Sequence, residues 1–319
     1  MPIVAGRSNA GVYGLGWGSA KGIGSRAIFG RGFVSGQQSV NLDYVTIETT
    51  GNAGDFGDLI SNPDRSNGQA GSTTRGVFSS VGSNTYQYVT FATIGNATDF
   101  GDARTTTIAD GGSSSNETRQ IVAYGWSSIG NTYSNIIDYL TIATTGNSVS
   151  FGNLTNTRGY CTGASSTTRA LNGGGYTGTF FNTIDYVTIA TTGNATDFGD
   201  LLAASYAPGS CTSSTRAVFV CATKLNGGHT ATNILEYVTM ASTGNSTDFG
   251  DLDSTQSSPP AASNKLRGVI AGGYATGAVL RTDIRYITIA TTGNTTDFGD
   301  LLEGKYSLQT VCNNHGGIA

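Results

Sequence analysis

Between Ile184 and Thr192 the side chains alternate as an extended strand requires. Ile184, Tyr186, Thr188 and Ala190 share one face, and Asp185, Val187, Ile189 and Thr191 share the other. Apolar residues fall on both faces, so the strand is expected to lie between two packed neighbours. Gly193-Asn194 then supplies turn chemistry tolerant of positive φ, and Phe198 follows in a short return strand flanked by Asp197 and Gly199-Asp200. The stretch 186–201, YVTIATTGNATDFGDL, therefore reads as one β-hairpin carrying a Tyr and a Phe in fixed register.

Close copies of this hairpin start at Tyr44, Tyr88, Tyr139, Tyr186, Tyr237 and Tyr286, each with its Phe 12 residues after the Tyr. Start-to-start spacings of 44, 51, 47, 51 and 49 residues suit propeller blades and exceed leucine-rich or ankyrin units. Burying one such aromatic contributes about 1.5–3 kcal/mol, so the Tyr and Phe anchors are expected to supply most of a core. A second recurring element is a short apolar strand led by Arg26, Arg75, Arg119, Arg169, Arg216 or Arg267, usually after a Ser/Thr-rich turn. About 15 residues separate each Phe strand from the next Arg strand, enough for one more strand. The blade predicted is a four-stranded antiparallel meander, and the chain an all-β, six-bladed β-propeller over 1–319.

The ends predict how the ring closes. The segment 304–319 parallels the residues after Ser205, with Tyr306 matching Tyr206 and Cys312 near the place of Cys211, and it stops where an Arg strand would begin. An orphan Arg strand at Arg26 waits at the other end. The C-terminal strand is therefore expected to complete the N-terminal blade and leave no open edge. Residues 1–25 are Gly-rich, match the repeat poorly, and are expected to form an N-terminal cap or an extra edge strand.

An Arg-containing linker, an apolar strand ending in Gly-Gly at Ala271-Gly272-Gly273-Tyr274 and a Tyr-Val strand together resemble the kelch repeat. Phe stands where that repeat has Trp. Tandem copies of YVTIATTGNATDFGDL with TRAVF-type strands, over about 26–302, resemble repeat proteins of tailed phages of marine bacteria. Those are generally virion structural or tail-associated proteins. The resemblance implies a non-enzymatic virion component assembled in the host cytoplasm, which contacts other virion proteins and a host surface glycan or receptor. Its rivals are a lectin-like adhesion module and a propeller-type glycoside hydrolase.

Composition narrows the classes further. Charged residues are 12% of the chain and the net charge is −4, which lacks the clustered Lys and Arg of a nucleic-acid footprint. No segment approaches 18 consecutive apolar residues, and the start MPIVAGRSNAGVYG has no basic-then-apolar leader, so membrane insertion is not expected. Cys161, Cys211, Cys221 and Cys312 form no C-x-x-C pair and are expected as buried free thiols. His229 and His315 have no partner at metal spacing, and no G-x-S-x-G, Walker loop or H-E-x-x-H occurs. Neither metal nor cofactor is expected.

Two register-locked sets and one variable set remain as candidates. The acids Asp58, Asp102, Asp200, Asp251 and Asp300 each follow another Asp by three residues, whereas the third copy has Ser150 and Asn153. Paired carboxylates suit calcium, but a device that Ser and Asn replace reads as scaffold, bonding turn N–H groups or a neighbouring Arg. The six repeat Arg are expected either to pair with Asp between blades or to ring one mouth of the channel as an anion site. The connections between second and third strands (32–40, 80–86, 126–136, 176–183, 223–233 and 274–282) differ in length and content and should gather on one face. Trp126, Tyr133, Tyr176, Phe180 and Phe181 are the aromatic candidates there for sugar stacking or protein contact.

Overall fold

The computed structural model describes residues 24–319 except 35–36, 62–66, 80–83, 106–110, 128–130, 207, 221–222, 226–228 and 276–278. Of the expected N-terminal cap, only Gly24 and Ser25 fall among the described residues, and Cys221 lies outside them. All regular structure in the described residues is strand, and the strands form a six-bladed β-propeller. Blades I to VI contain Tyr44, Tyr88, Tyr139, Tyr186, Tyr237 and Tyr286 in that order. Blade IV shows the plan: Thr162–Ser165, Arg169–Gly173, Thr183–Thr188 and Thr196–Asp200 pair antiparallel from the axis outward.

The two-faced alternation of the Tyr strand decides where the core lies. Ile184 packs with Phe198, Phe219 and Val238 toward blade V, while Val187 and Ile189 pack with Ile121 and Phe151 toward blade III. Every seam between neighbouring blades has its own apolar cluster of this kind, including that of blade VI with blade I, where Ile284 and Phe298 meet Phe29 and Val45. The repeat Phe are 0–3% exposed. Their Tyr partners are half-buried and meet them edge-on at 5.8–6.3 Å, so Phe is the core anchor and Tyr its cover.

The outer strands are bulged at the Phe. In blade IV, Asp185 pairs with Asp197 but Ile184 with Gly199, which leaves Phe198 as the extra residue, and the register shifts at the same place in the other five blades. A bulge turns two carbonyls away from the hairpin's own ladder. The next blade's turn takes them up. Gly244 N–H donates to Phe198 O at 2.7 Å and Ser246 N–H to Asp200 O at 2.8 Å, and equivalent pairs recur at all seams. The Asn of each turn also accepts the N–H of the second acidic position, as Asn245 Oδ1 does from Asp200 N at 3.0 Å. A Cβ on the glycine after the Phe would lie 2.1–2.6 Å from the carbonyl group of the next turn, so only glycine lets the blades approach. The turn Asn residues do not have positive φ; their use is this bond across the seam, not the conformational freedom expected from sequence.

The ring closes as expected. Gln309–Cys312 is the inner strand of blade I, antiparallel to Arg26–Val34. Asn313 Oδ1 accepts Arg26 N–H at 2.7 Å, just as Asn264 Oδ1 accepts Arg267 N–H at 2.7 Å within the continuous chain of blade VI. The broken turn thus reproduces the covalent one. Blade II departs from the four-stranded plan. Its first strand, Asn67–Ala70, lies at the axis, parallel to the inner strands of blades I, III and IV, and Gln69 Nε2 donates to Thr212 Oγ1 of blade V at 2.9 Å. Crowding at the axis explains the small residues of the inner strands: a Cβ on Gly163 would sit 2.3 Å from Ser113 O.

His315, fully buried, fixes the C-terminal residues under this axis. Its Nδ1 accepts Gly317 N–H at 3.1 Å, which makes Nε2–H the donor to Gly71 O at 3.1 Å. A proton on Nδ1 would face another N–H, and burial depresses the imidazole pKa from 6.5 to about 4. The unfolded chain therefore takes up a proton between those values that the folded ring refuses, so stability falls as pH drops through that window. Thermal melts from pH 7 to pH 4 should show this loss in the wild type, and the His315→Gln variant, less stable at pH 7, should show a flatter profile.

The residue before each repeat Tyr is buried in a seam and is Asp in three blades and Gln, Glu or Arg in the others. Asp43 meets Lys305 Nζ at 3.1 Å with both side chains at most 1% exposed, and Asp185 meets the buried Arg158 at 2.9 Å. Burial raises the Asp43 pKa, and the Lys305 ammonium opposes that rise. Removing one member of such a pair leaves a buried charge unmatched and costs about 3–5 kcal/mol. Urea titration should find Lys305→Met destabilised by that order, with most of the loss recovered in Asp43→Leu/Lys305→Met.

Candidate functional site

Chain direction puts the second-to-third connections and the fourth-to-first connections on the same face of the ring. Several of the former are short ribbons, such as Trp126–Ser127 with Thr132–Tyr133 and Tyr274–Ala275 with Val279–Leu280. On this face blades III to V gather one continuous aromatic array. Trp126 and Tyr160 stack at 6.4 Å and 21°, and Tyr160 and Tyr206 at 4.4 Å and 28°. Tyr176 sits edge-on to Tyr133, Phe180 and Tyr206 at 6.2, 5.1 and 6.1 Å. All six rings are half-buried. A smaller pair, Tyr274 with Tyr306 at 5.2 Å, lies where blade VI meets blade I.

Four of the five aromatic candidates thus come together, while Phe181 turns to the buried Arg158, whose guanidinium lies 5.8 Å from its ring. The array contains two residues missed from sequence, Tyr160 and Tyr206, because they sit in fourth-to-first connections rather than the variable loops. The signal for them was topological: a closed meander brings both kinds of connection to one face. Tyr160 is held at φ +57°, a left-handed conformation rare for a bulky aromatic, with its ring between Trp126 and Tyr206. The Trp126 indole N–H donates to Asn131 Oδ1 at 2.9 Å, which fixes the ring.

The register-locked Arg are neither an anion ring nor partners of the repeat Asp. Each lies over its own blade's Tyr, with the guanidinium carbon 4.3–5.0 Å from the ring centroid. Each also donates from Nη1 to carbonyls at the end of the Tyr strand in the next blade, Arg169 to Met240 O at 2.9 Å and Arg267, across the closure, to Ile47 O at 3.0 Å. A planar, always-charged fork can stack and donate at once, which suits Arg and not Lys. Asp58, Asp102, Asp200, Asp251 and Asp300 each donate a main-chain N–H to the next blade's Asn. Since the contact is main-chain, Asn153 serves equally in blade III, donating to Asn194 at 3.1 Å. Among the described residues no group of three or more His, Cys, Asp or Glu is arranged to hold a metal ion.

The described thiols are buried and free, and burial raises the pKa of each, Cys312 to about 12. Such thiols are poor nucleophiles. Asp138, buried at the seam of blades II and III, accepts hydrogen bonds from Arg104 and from the Tyr124 hydroxyl, whose pKa burial pushes up. Arg104 thereby holds a seam together. No protein-family model matches the chain, and no curated protein matches it.

Because guanidinium stacking and charge-assisted donation to carbonyls contribute about 1–2 kcal/mol at a half-exposed site, Arg169→Met should lower unfolding free energy by that order. Isothermal titration with sulfate should give the same result for the variant and the wild type, as expected for a clip and not for an anion site.

Proposed function

We propose that this chain is a non-enzymatic attachment component of a tailed-phage virion, a rigid kelch-like ring that meets the host surface through the aromatic array over blades III to V. One observation carries the reading: Trp126, Tyr133, Tyr160, Tyr176, Phe180 and Tyr206 converge from four connections, on the face away from the repeated seam contacts. Tyr and Trp give large contact area at low entropic cost, and their clustering on a rigid scaffold is the usual makeup of a recognition surface. The repeated Arg, Asn and Asp are occupied in holding blades together, which leaves the variable face to carry specificity.

Two features support the kelch-like and virion parts of the proposal. The double glycines at Gly174-Gly175 and Gly272-Gly273 follow the second strands with φ of +70° and +123°, and +59° and +105°, in keeping with the kelch resemblance. A ring closed by strand pairing, with buried thiols and an uncharged Ser/Thr-rich inner layer, suits a part that must persist outside a cell.

The test is adsorption of fluorescently labelled ring to a panel of marine bacterial isolates. Saturable labelling of at least one isolate, reduced about tenfold in affinity by Trp126→Ala with an unchanged melting temperature, is the expected result, since loss of one aromatic anchor costs of order 1–3 kcal/mol. Labelling that Trp126→Ala leaves unchanged, or none across the panel, would overturn the attachment role.

A further inference from the structure

Resting on that attachment reading, we infer that the array binds an uncharged glycan, with a pyranose ring stacked on Trp126. The connections that build the array, 125–135, 154–161, 174–182 and 201–209, contain a single charged residue, Arg158. Arg158 is 0% exposed, its Nη2 lies 2.9 Å from Asp185, and its guanidinium is covered by the Phe181 ring. The fourth-to-first connections elsewhere on this face each carry charge: Arg65, Arg104, Asp253 and Glu303 lie in the other four. The four connections that build the array thus present no exposed charged side chain.

An acidic glycan, a phosphorylated headgroup or a nucleic acid would find no cation there to offset the desolvation of its anion, and a basic peptide would find no carboxylate. A neutral sugar asks for something else: a flat apolar ring against its C–H face and uncharged donors and acceptors around its hydroxyls. Trp126 is the terminal ring of the described stack, fixed from behind by Tyr160 and at its N–H by Asn131. Phenol, Ser, Thr and Asn groups make up the polar part of the four connections. Tyr160 is a positioning residue. Its left-handed backbone holds the middle ring of the stack and so sets the tilt of Trp126.

The experiment is an oligosaccharide array of neutral and acidic glycans probed with the full chain, run beside the adsorption assay. Saturable binding to at least one neutral glycan and not to its sialylated or uronate-containing forms is expected. Trp126→Ala should weaken this by about tenfold or more and Trp126→Phe by less, as loss of one stacked ring implies. Absence of any neutral ligand, equal binding of acidic forms, or indifference to Trp126→Ala would each overturn the inference. If Trp126→Ala abolishes adsorption to cells while no neutral glycan binds, the attachment reading stands and its partner is a protein. If adsorption is indifferent to Trp126→Ala, the attachment reading itself falls.

Discussion

The ring depends on a contact only a few atoms wide, between the bulged outer strand of one blade and the Gly-Asn turn of the next. An outer strand presents unpaired main-chain groups, and in an open sheet those invite aggregation. Here the Phe bulge aims two carbonyls sideways, the next turn donates two N–H groups to them, and Asn adds a third bond. The glycine after Phe is required because the neighbouring turn occupies the space a side chain would need. Phe then points into the seam core, and Tyr covers it under the Arg guanidinium. The repeated motif is therefore the two halves of one joint, written on either side of each hairpin.

If the joints were all alike, any blade could dock on any other. The residue before the Tyr sets some of them apart. That position holds Asp43, Gln87, Asp138, Asp185, Glu236 and Arg285, all buried. In four blades it accepts the main-chain N–H four residues after the Phe of the preceding blade (Leu302, Ile60, Thr155 and Leu202), while the charged side chains that meet it differ: Lys305, Arg104, Arg158 and, at Arg285, Asp253. At blade VI the sign is reversed, since a buried cation takes the place of an acceptor. Exchanging blades would set Arg285 against a main-chain donor or Asp185 against Asp253, leaving buried charge unmatched at a cost of several kcal/mol. Shared backbone contacts and the apolar seam clusters hold the blades together, and the buried polar pairs distinguish some joints from others.

Sequence made much of this legible because a period is a local property. The Tyr–Phe hairpin, the Arg strand, the blade count and closure by the C-terminal strand all follow from recurrence and alternation. What lay beyond reach was the identity of partners across a seam. Arg169 and Asp200 stand in fixed register, yet register cannot say that one meets the Met240 carbonyl and the other the Asn245 amide. The strand Asn67–Ala70 looks like any first strand until its place at the axis is known. Tyr160 and Tyr206 escaped for the opposite reason: they were sought in the variable loops, and three-dimensional convergence draws on connections of both kinds.

The two faces of the ring are chemically unlike, and that difference follows from how a meander closes. The face bearing the Gly-Asn turns, the Arg clips and the His315 plug is committed to joining blades, so its residues repeat. On the opposite face the second-to-third connections make no such repeated contact, so length and composition are free to differ there. A fold of this kind does not dictate a function. It does dictate where one can be written, and over blades III to V that face carries a stack of aromatic rings whose four connections expose no charged side chain. A partner suited to that surface must be held by ring faces and hydroxyls, and electrostatic attraction contributes little to its capture.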